Sequence, residues 1–462
     1  DGRWAFTARS PEKALADSSD IDYTVGNSKL AEIDRLSDAR KKAILESESD
    51  LSTITGKTYY ISPNGNDSAD GLSPTTAWQT INKLKGAALK NGDGVLFERG
   101  GLFRGKFSAV SGVTYSAYGE GEKPKIYGSA RNYSESAFWD KTSDENVYVS
   151  KETFTNDVGL IVFDEGAAWS IKKIDGVGGF DGKLKADLEM FHNPGDSKLY
   201  LYSTSDPNTR FKSTEIAPGR TLVSGDGNGV VIDNLCLKYA GAHGIGYGST
   251  ENLTVENCEI GWIGGMIQYG TTRYGNAVEI YVNAKDYFIR NCYIYEVYDA
   301  GVTHQYFQTQ SSFVRMENIE YSDNVITRCT YDIEYTNAQP SNLGIMKDIR
   351  IFGNILTDSG EGWGNQRPSR ADAVIKGWSH TSRGENFVIT DNIISTSCKD
   401  SMLIHIGVEK MEYLPVVTGN VFIGVKGNSF GFYGKNAPKL LTYDEDVTKL
   451  TVGLDSNTYM YR

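Results

Sequence analysis

Val255-Glu256-Asn257-Cys258 and Ile289-Arg290-Asn291-Cys292 are two copies of one short pattern: an apolar strand, an asparagine and a further apolar residue. The pattern returns at Ser322-Asp323-Asn324-Val325, Phe352-Gly353-Asn354-Ile355, Thr390-Asp391-Asn392-Ile393 and Thr418-Gly419-Asn420-Val421, and an earlier copy is Ile232-Asp233-Asn234-Leu235. Successive asparagines are 23, 34, 33, 30, 38 and 28 residues apart, which suits coils of one basic length carrying loops of variable size. Asparagine fits a tight corner because it tolerates the left-handed backbone region, and stacked amides bond from coil to coil. The residue after each asparagine (Leu235, Cys258, Cys292, Val325, Ile355, Ile393, Val421) is apolar, as an interior stack requires. The expectation is one asparagine ladder at a single corner, with Cys258 and Cys292 reduced and adjacent inside.

Composition agrees with a solenoid. A chain of 462 residues with 39% hydrophobic content can bury a large core, and a solenoid grows along one axis without splitting into domains. The net charge of -12 excludes partners that need a basic face, namely nucleic acid or an anionic membrane. No apolar run reaches the roughly 18 residues needed to span a bilayer. The five cysteines (236, 258, 292, 329, 398) show no CxxC spacing and read as buried thiols rather than disulfides or a metal site. The chain opens at Asp1 and not at methionine, as a processed form does, so no signal peptide is legible in it.

In chain order, residues 1–57 form a polar leader and a helix. Asn27 or Ser28 caps it, it runs to about Glu48, and Leu30, Ile33, Leu36, Ile44 and Leu45 lie roughly on one face. Residues 58–129 hold a cap and the first coils. Here Tyr59-Tyr60-Ile61 precedes an Asx-rich loop and a helical stretch over 76–84. Asp67 and Asp70 in that loop are turn formers, with calcium as the alternative and no other cofactor or metal expected. Residues 130–220 break the rhythm as a β-rich insertion beside the cleft. Residues 221–430 are the main solenoid, and 431–462 a polar C-terminal cap.

Each coil carries a second strand: Gly244-Ile245-Gly246, Ala277-Val278-Glu279, Val302-Thr303-His304, Asp332-Ile333-Glu334, Val374-Ile375-Lys376 and Leu403-Ile404-His405. Side chains alternate in and out along a strand, so placing Val278, Ile333, Ile375 and Ile404 inside puts Glu279, Glu334, Lys376 and His405 outside in one column. The third strand is open by one residue: it offers His304, with Gln305 beside it, or Thr303. The longest insertions interrupt the same coils, as on a binding face. Two carboxylates flanking one bond are what glycosidic cleavage needs. Glu279 and Glu334 are the expected pair, Asp299 is an alternate partner, and Asp332 is placed on the outward face where its like charge would raise the Glu334 pKa. Gly246 is expected to leave room for a sugar ring. Trp363, Gln366 and Arg367 of the Gly360–Pro368 loop, with Lys376, His380 and His405, are expected to stack on or bind sugar hydroxyls.

The coil pattern resembles the right-handed parallel β-helix of the pectate-lyase-like carbohydrate-active enzymes, and the strand, Asx-rich loop and short helix from Thr58 resemble the N-terminal cap of secreted members. The fold class implied is all-β, a right-handed parallel β-helix with an N-terminal helical cap segment and a β-rich insertion. The resemblance also implies a secreted or cell-surface bacterial glycoside hydrolase, acting as a monomer on a complex carbohydrate. In parallel-β-helix glycoside hydrolases such as the β-xylosidases of this fold, the acidic pair likewise projects from the solenoid sheet. Two alternatives stay open. One is a polysaccharide lyase or uronate epimerase using Lys376, His405, His304 or Arg367. The other is a non-catalytic carbohydrate-binding solenoid.

Overall fold

The structure is a computed structural model that describes residues 27–461 apart from 136, 226, 368–371, 436–440, 443–453 and 455. The leader expected over 1–26 lies outside the described residues. The chain winds through three ten-stranded sheets, taking one strand of each per coil. In one coil, Ala284–Arg290 belongs to the first sheet, Tyr293–Val297 to the second and Ala300–Tyr306 to the third, and the next coil starts at Val314–Ser322. Within the solenoid the strands pair in parallel, for example Val278–Tyr281 with Ala300–Tyr306 and the latter with Tyr331–Asn337, except that Leu441–Thr442 closes the third sheet antiparallel to Ser429–Lys435. This is a parallel β-helix. Its core consists of apolar columns, one residue per coil. Val255, Ile289, Tyr321, Ile351, Ile389 and Val417 stack in the first sheet, Ile260, Ile294, Ile326, Leu356 and Ile394 in the second, and Val278, Val302, Ile333, Ile375 and Ile404 in the third.

The asparagines form two columns where one was expected. Asn234, Asn257 and Asn291 take the left-handed corner themselves, with φ of 58°, 54° and 49°. From the next coil onward the preceding residue takes that corner (Asp323, Gly353, Asp391 and Gly419), and Asn324, Asn354, Asn392 and Asn420 turn inward. They fall in register with Cys258 and Cys292, which are fully buried, free and adjacent. The inward amides bond in series: Asn324 Nδ2 donates to Asn354 Oδ1 (2.9 Å), Asn354 to Asn392 (2.8 Å), Asn392 to Asn420 (2.9 Å) and Asn420 to Asn457 (2.9 Å). A buried amide needs such partners, and here each coil supplies them for the next. Two further left-handed columns stack at other corners: Asn252, Asp286, Asn318, Asp348 and Asn386 in the first sheet, and Tyr239, Trp262, Glu296, Arg328 and Asp358 in the second.

That one-residue shift turns Val325, Ile355, Ile393 and Val421 outward. They remain buried because the helix Asn27–Leu45 covers them with Ile33 and Ile44, and Leu30 and Leu36 pack alongside. Lys41 also lies over the Tyr293 ring, 4.8 Å from its centre. The solenoid continues past the point where the coil rhythm fades in sequence: Ser429–Lys435 joins the third sheet, and Thr458–Tyr461 ends the second.

At the other end, the helix expected over 76–84 is two short 3-10 turns, Pro74–Thr76 and Ile81–Lys85. Asp67 accepts from the N–H groups of Gln79 (2.8 Å) and Thr80 (2.9 Å), and Asp70 from that of Leu72 (3.0 Å), so both aspartates serve turns. No group of three or more His, Cys, Asp or Glu side chains is placed to hold a metal ion among the described residues. Among the described residues no helix is long and apolar enough to cross a membrane. Between Lys125–Tyr127 and Val223–Gly225 the insertion builds a five-stranded and a three-stranded sheet around its own core, which includes Phe138, Trp139, Ile161, Phe163 and Met190. Its Leu160, Val162 and Ala217 pack on Tyr239, Trp262, Tyr298 and Trp363 of the solenoid.

Candidate active site

The third sheet is walled along both edges. The insertion, the hairpin Met266–Tyr269 with Thr272–Tyr274, and the turn Trp363–Gln366 all leave the chain between the second and third sheets. Residues 307–313 and 338–343 leave it between the third and first. On the outward face, Gly246, Glu279, Thr303, Glu334, Lys376 and His405 stand in register on successive strands. Adjacent strands are about 4.8 Å apart, so the backbones of Glu279 and Glu334 are separated by about 10 Å. Thr303 fills the position between them, and its buried Oγ1 has no hydrogen-bond partner among the described residues.

Glu334 is nearly enclosed, at 3% exposure, and its Oε1 accepts from Trp378 Nε1 at 2.5 Å. Burial, with the like charges of Asp299 and Glu279 against the opposing Trp378 bond and Arg367, pushes its carboxyl up to about 8. Two amides converge on Glu279 Oε2: Asn276 Nδ2 donates to it, and so does Gln305 Nε2 at 3.1 Å. The same Asn276 accepts from Ala300 N–H (2.7 Å), which locks its orientation. His243 Nδ1 lies 3.5 Å from Glu279 but accepts the Asn276 N–H at 3.1 Å, so this nitrogen acts as an acceptor and the longer contact is not a hydrogen bond. Asp299, just before the middle strand, pairs with Arg367, while burial raises its pKa against that pairing. Burial depresses the Lys376 ammonium to about 8 against the pull of Glu334, and its Nζ sits 4.2 Å over the Trp378 ring. Burial and Lys376 lower His405 to about 4.

Several expected site residues lie elsewhere. His304 is fully buried in the interior, where Nδ1 meets Tyr321 Oη at 2.7 Å and the ring stacks on Tyr335, because Val302 faces inward and the strand must alternate. Asp332 is fully buried at the corner by Cys329, Thr357 and Asp358. Burial raises its pKa well above normal, and the like charges that chiefly raise Glu334 are those of Asp299 and Glu279. Trp363 is also fully buried: its N–H donates to Glu296 Oε2 (2.8 Å) and its Nε1 to Glu296 O (2.8 Å). A side chain at Gly362 would meet Arg328 O at 2.0 Å, so the glycine lets the loop press onto this corner. Trp363 is therefore an anchor, not a stacking platform. Gln366 is a clamp that ties the insertion down, its Nε2 donating to Ser170 O (2.9 Å) and its Oε1 accepting from Lys172 N–H (3.0 Å). Together they deliver Arg367 to Asp299, where the guanidinium also lies 5.4 Å from the Tyr331 ring centre. The space over Gly246 is taken by the His243 ring, which an added Cβ would meet at 3.2 Å. The side chain of His380 lies outside the described residues.

The structure thus brings together Glu279, Asp299, Gln305, Glu334, Arg367 and Lys376, with His405 at the next position along the column. Asn276 was missed by sequence reasoning. It stands three residues before Glu279, ahead of the strand, where no alternation marks it. The Trp378 bond to Glu334 was also missed, although two-residue alternation from Lys376 puts this indole on the same outward face.

No protein family matches the chain in sequence, and neither does any curated protein. Solved structures of similar shape include a glycoside hydrolase (10% identity, 88% of this chain and 96% of that one covered, TM-score 0.47). They also include XylC in complex with xylose (13%, 83% and 73%, 0.41) and an alginate lyase from Paenibacillus sp. str. FPU-7 (12%, 83% and 96%, 0.43).

Proposed function

We propose that the protein is a carbohydrate-active enzyme that hydrolyses a glycosidic bond, with Glu334 as general acid and Glu279 as general base. One observation carries the reading. Two outward carboxylates stand two strands apart on a walled sheet, with an unpartnered hydroxyl between them. A carboxyl pushed up to about 8 keeps its proton at neutral pH and can give it to a leaving oxygen. Glu279 Oε2 is an acceptor aligned by two amides, as a base receiving a water proton must be. A backbone separation of about 10 Å, with side-chain lean, approaches the roughly 6.5–9.5 Å carboxyl separation of inverting enzymes. Asp299, fixed by Arg367, is the alternate partner that would make a closer, retaining pair. Secretion and a monomeric state belong to the same reading. The test is product analysis on a panel of plant and host glycans, with the anomer formed followed by NMR. Cleavage with inversion supports the Glu279 pair, retention favours Asp299, and no cleavage across the panel counts against an enzyme.

A second reading has its own observation. Lys376, depressed to about 8, is a competent base at mildly alkaline pH, and Arg367 could neutralise a uronate carboxylate, the arrangement of a polysaccharide lyase. Ultraviolet-absorbing unsaturated products from a uronate polymer would establish that chemistry instead.

A further inference from the structure

A cavity lies at the seam between the insertion and the solenoid. Its volume is about 400 Å³, within the range of small-ligand sites, and its walls come from residues 171–189 of the insertion with Arg273 and Gln366 of the solenoid. Gln366 immediately precedes the Arg367 that pairs with Asp299, and the Arg273 guanidinium lies 4.2 Å over the ring of Tyr298, the residue before Asp299. Two residues of the cavity lining, Gln366 and Arg273, are thus one step along the chain or one ring contact from the Asp299–Arg367 pair.

The charge of this cavity runs against that of the chain. In a protein of net charge -12, five cations line it (Lys172, Lys173, Lys183, Lys185 and Arg273), against Glu189 as the one carboxylate in the lining. Three carboxylates answer those cations: Asp157 pairs with Lys172, Glu189 with Lys173 (2.7 Å) and Asp181 with Lys185 (3.0 Å). Burial depresses the Lys172 ammonium to about 7, so the surplus positive charge rests on two further groups. They are Arg273, which is fully buried with Nε donating to Gly265 O (2.8 Å), and Lys183, which makes no ion pair among the described residues. The guanidinium bonds backbone carbonyls and faces Tyr298 and Asp157, and Asp157 is shared with Lys172, so a further anion beside it would offset its burial. The half-buried Phe180, packed against Phe191 at 5.2 Å, adds an aromatic surface to the same lining. Glycines at 178 and 179 sit in the left-handed region at φ 60° and 73° with nothing near an added Cβ, so the loop is shaped by its backbone and leaves space above it.

We propose that this cavity is a subsite for an anionic sugar unit, one bearing a carboxylate or a sulfate ester, placed beside the cleavage point. The substrate is then an acidic glycan whose charged residue seats against Arg273 and Lys183 while the neighbouring bond lies over Glu279 and Glu334. This rests on the carbohydrate reading of the adjacent cluster, but its test does not need turnover.

The full chain is titrated calorimetrically with D-glucuronate, D-glucose 6-sulfate, inorganic sulfate and neutral D-glucose, as wild type, Lys183→Glu and Glu334→Gln. The expected result is binding of at least one charged sugar, ten-fold or more tighter than glucose. That binding weakens with salt and falls at least ten-fold in Lys183→Glu, an exposed position that leaves the fold intact, and it is unchanged in Glu334→Gln. The preferred charged sugar then identifies carboxylate or sulfate as the recognised group. Equal affinity for glucose, or no effect of Lys183→Glu, overturns the proposal, as does no binding at all. Inorganic sulfate binding as tightly as the sulfated sugar overturns the sugar part of it. Failure of the cleavage reading shows separately, as charged-sugar binding intact while glycans of the preferred charge stay uncut.

Discussion

The second and third sheets are built by the same winding, yet their outward faces are opposites. On the second, Val325, Ile355, Ile393 and Val421 form an apolar column that the helix Asn27–Leu45 covers. On the third, Glu279, Glu334 and Lys376 form an ionisable column beside Asp299, and the insertion and loops wall its edges. A solenoid that needed only stability would treat the two faces alike. The cost shows in the carboxyl of Glu334, held at about 8 because burial and neighbouring charge outweigh its Trp378 bond. Strained ionisation of this kind collects at functional sites, whereas an apolar column under a helix is ordinary core.

This contrast can be broken by exchange. Glu334→Gln and Glu279→Gln, which keep shape, are each expected to reduce kcat on the cognate glycan by about 10²–10⁴-fold, the usual range for a lost acid or base. Unchanged turnover would make the third face as structural as the second. Ile44→Asp should loosen the helix and cost about 3 kcal/mol, seen as faster hydrogen exchange over 27–45 and self-association through the bared column. Retained exchange protection would show that the helix is not held by this contact. The two asparagine columns should differ as well. Asn354 donates to Tyr321 O, Phe352 O and Asn392 and accepts from Asn324, so Asn354→Ala is expected to cost about 2–3 kcal/mol in denaturant unfolding. Asn291→Ala, at a half-buried corner with φ 49°, should cost about 1 kcal/mol, mostly backbone strain. Equal losses would mean that the inward shift has no energetic consequence.

Much of this was written in the sequence at the level of period. The coil repeat and the Glu279, Glu334, Lys376 and His405 column follow from two-residue alternation, which needs no tertiary information. The shift of the asparagines was not legible, because Asn followed by an apolar residue reads the same whether the amide or its neighbour faces inward. The preceding residue carries part of the signal: Asp323, Gly353, Asp391 and Gly419 can each take the left-handed corner, whereas Glu256 and Arg290 before Asn257 and Asn291 cannot do so readily, but Asp233 precedes Asn234 and Asn234 still takes the corner itself. His304 went wrong by one residue, at the strand whose sequence allowed either register. Trp363 and Gln366 were read as sugar-binding because their partners, Glu296, Ser170 and Lys172, lie up to 196 positions away in the chain. No local pattern encodes such contacts.

The central claim is that Glu334 carries a proton at neutral pH on the outward face of the third sheet. Its side-chain carboxyl can be titrated directly by carbon NMR, with Glu334→Gln identifying the resonance. The predicted midpoint is about 8, against an ordinary 4.5. A folded pKa raised in this way contributes stability that is fully present below pH 4.5 and is lost as pH rises through about 8, so Glu334→Gln should also flatten the decline in melting temperature across that window. A midpoint near 4.5, with no change in that slope, would contradict the assignment of Glu334 as the acid.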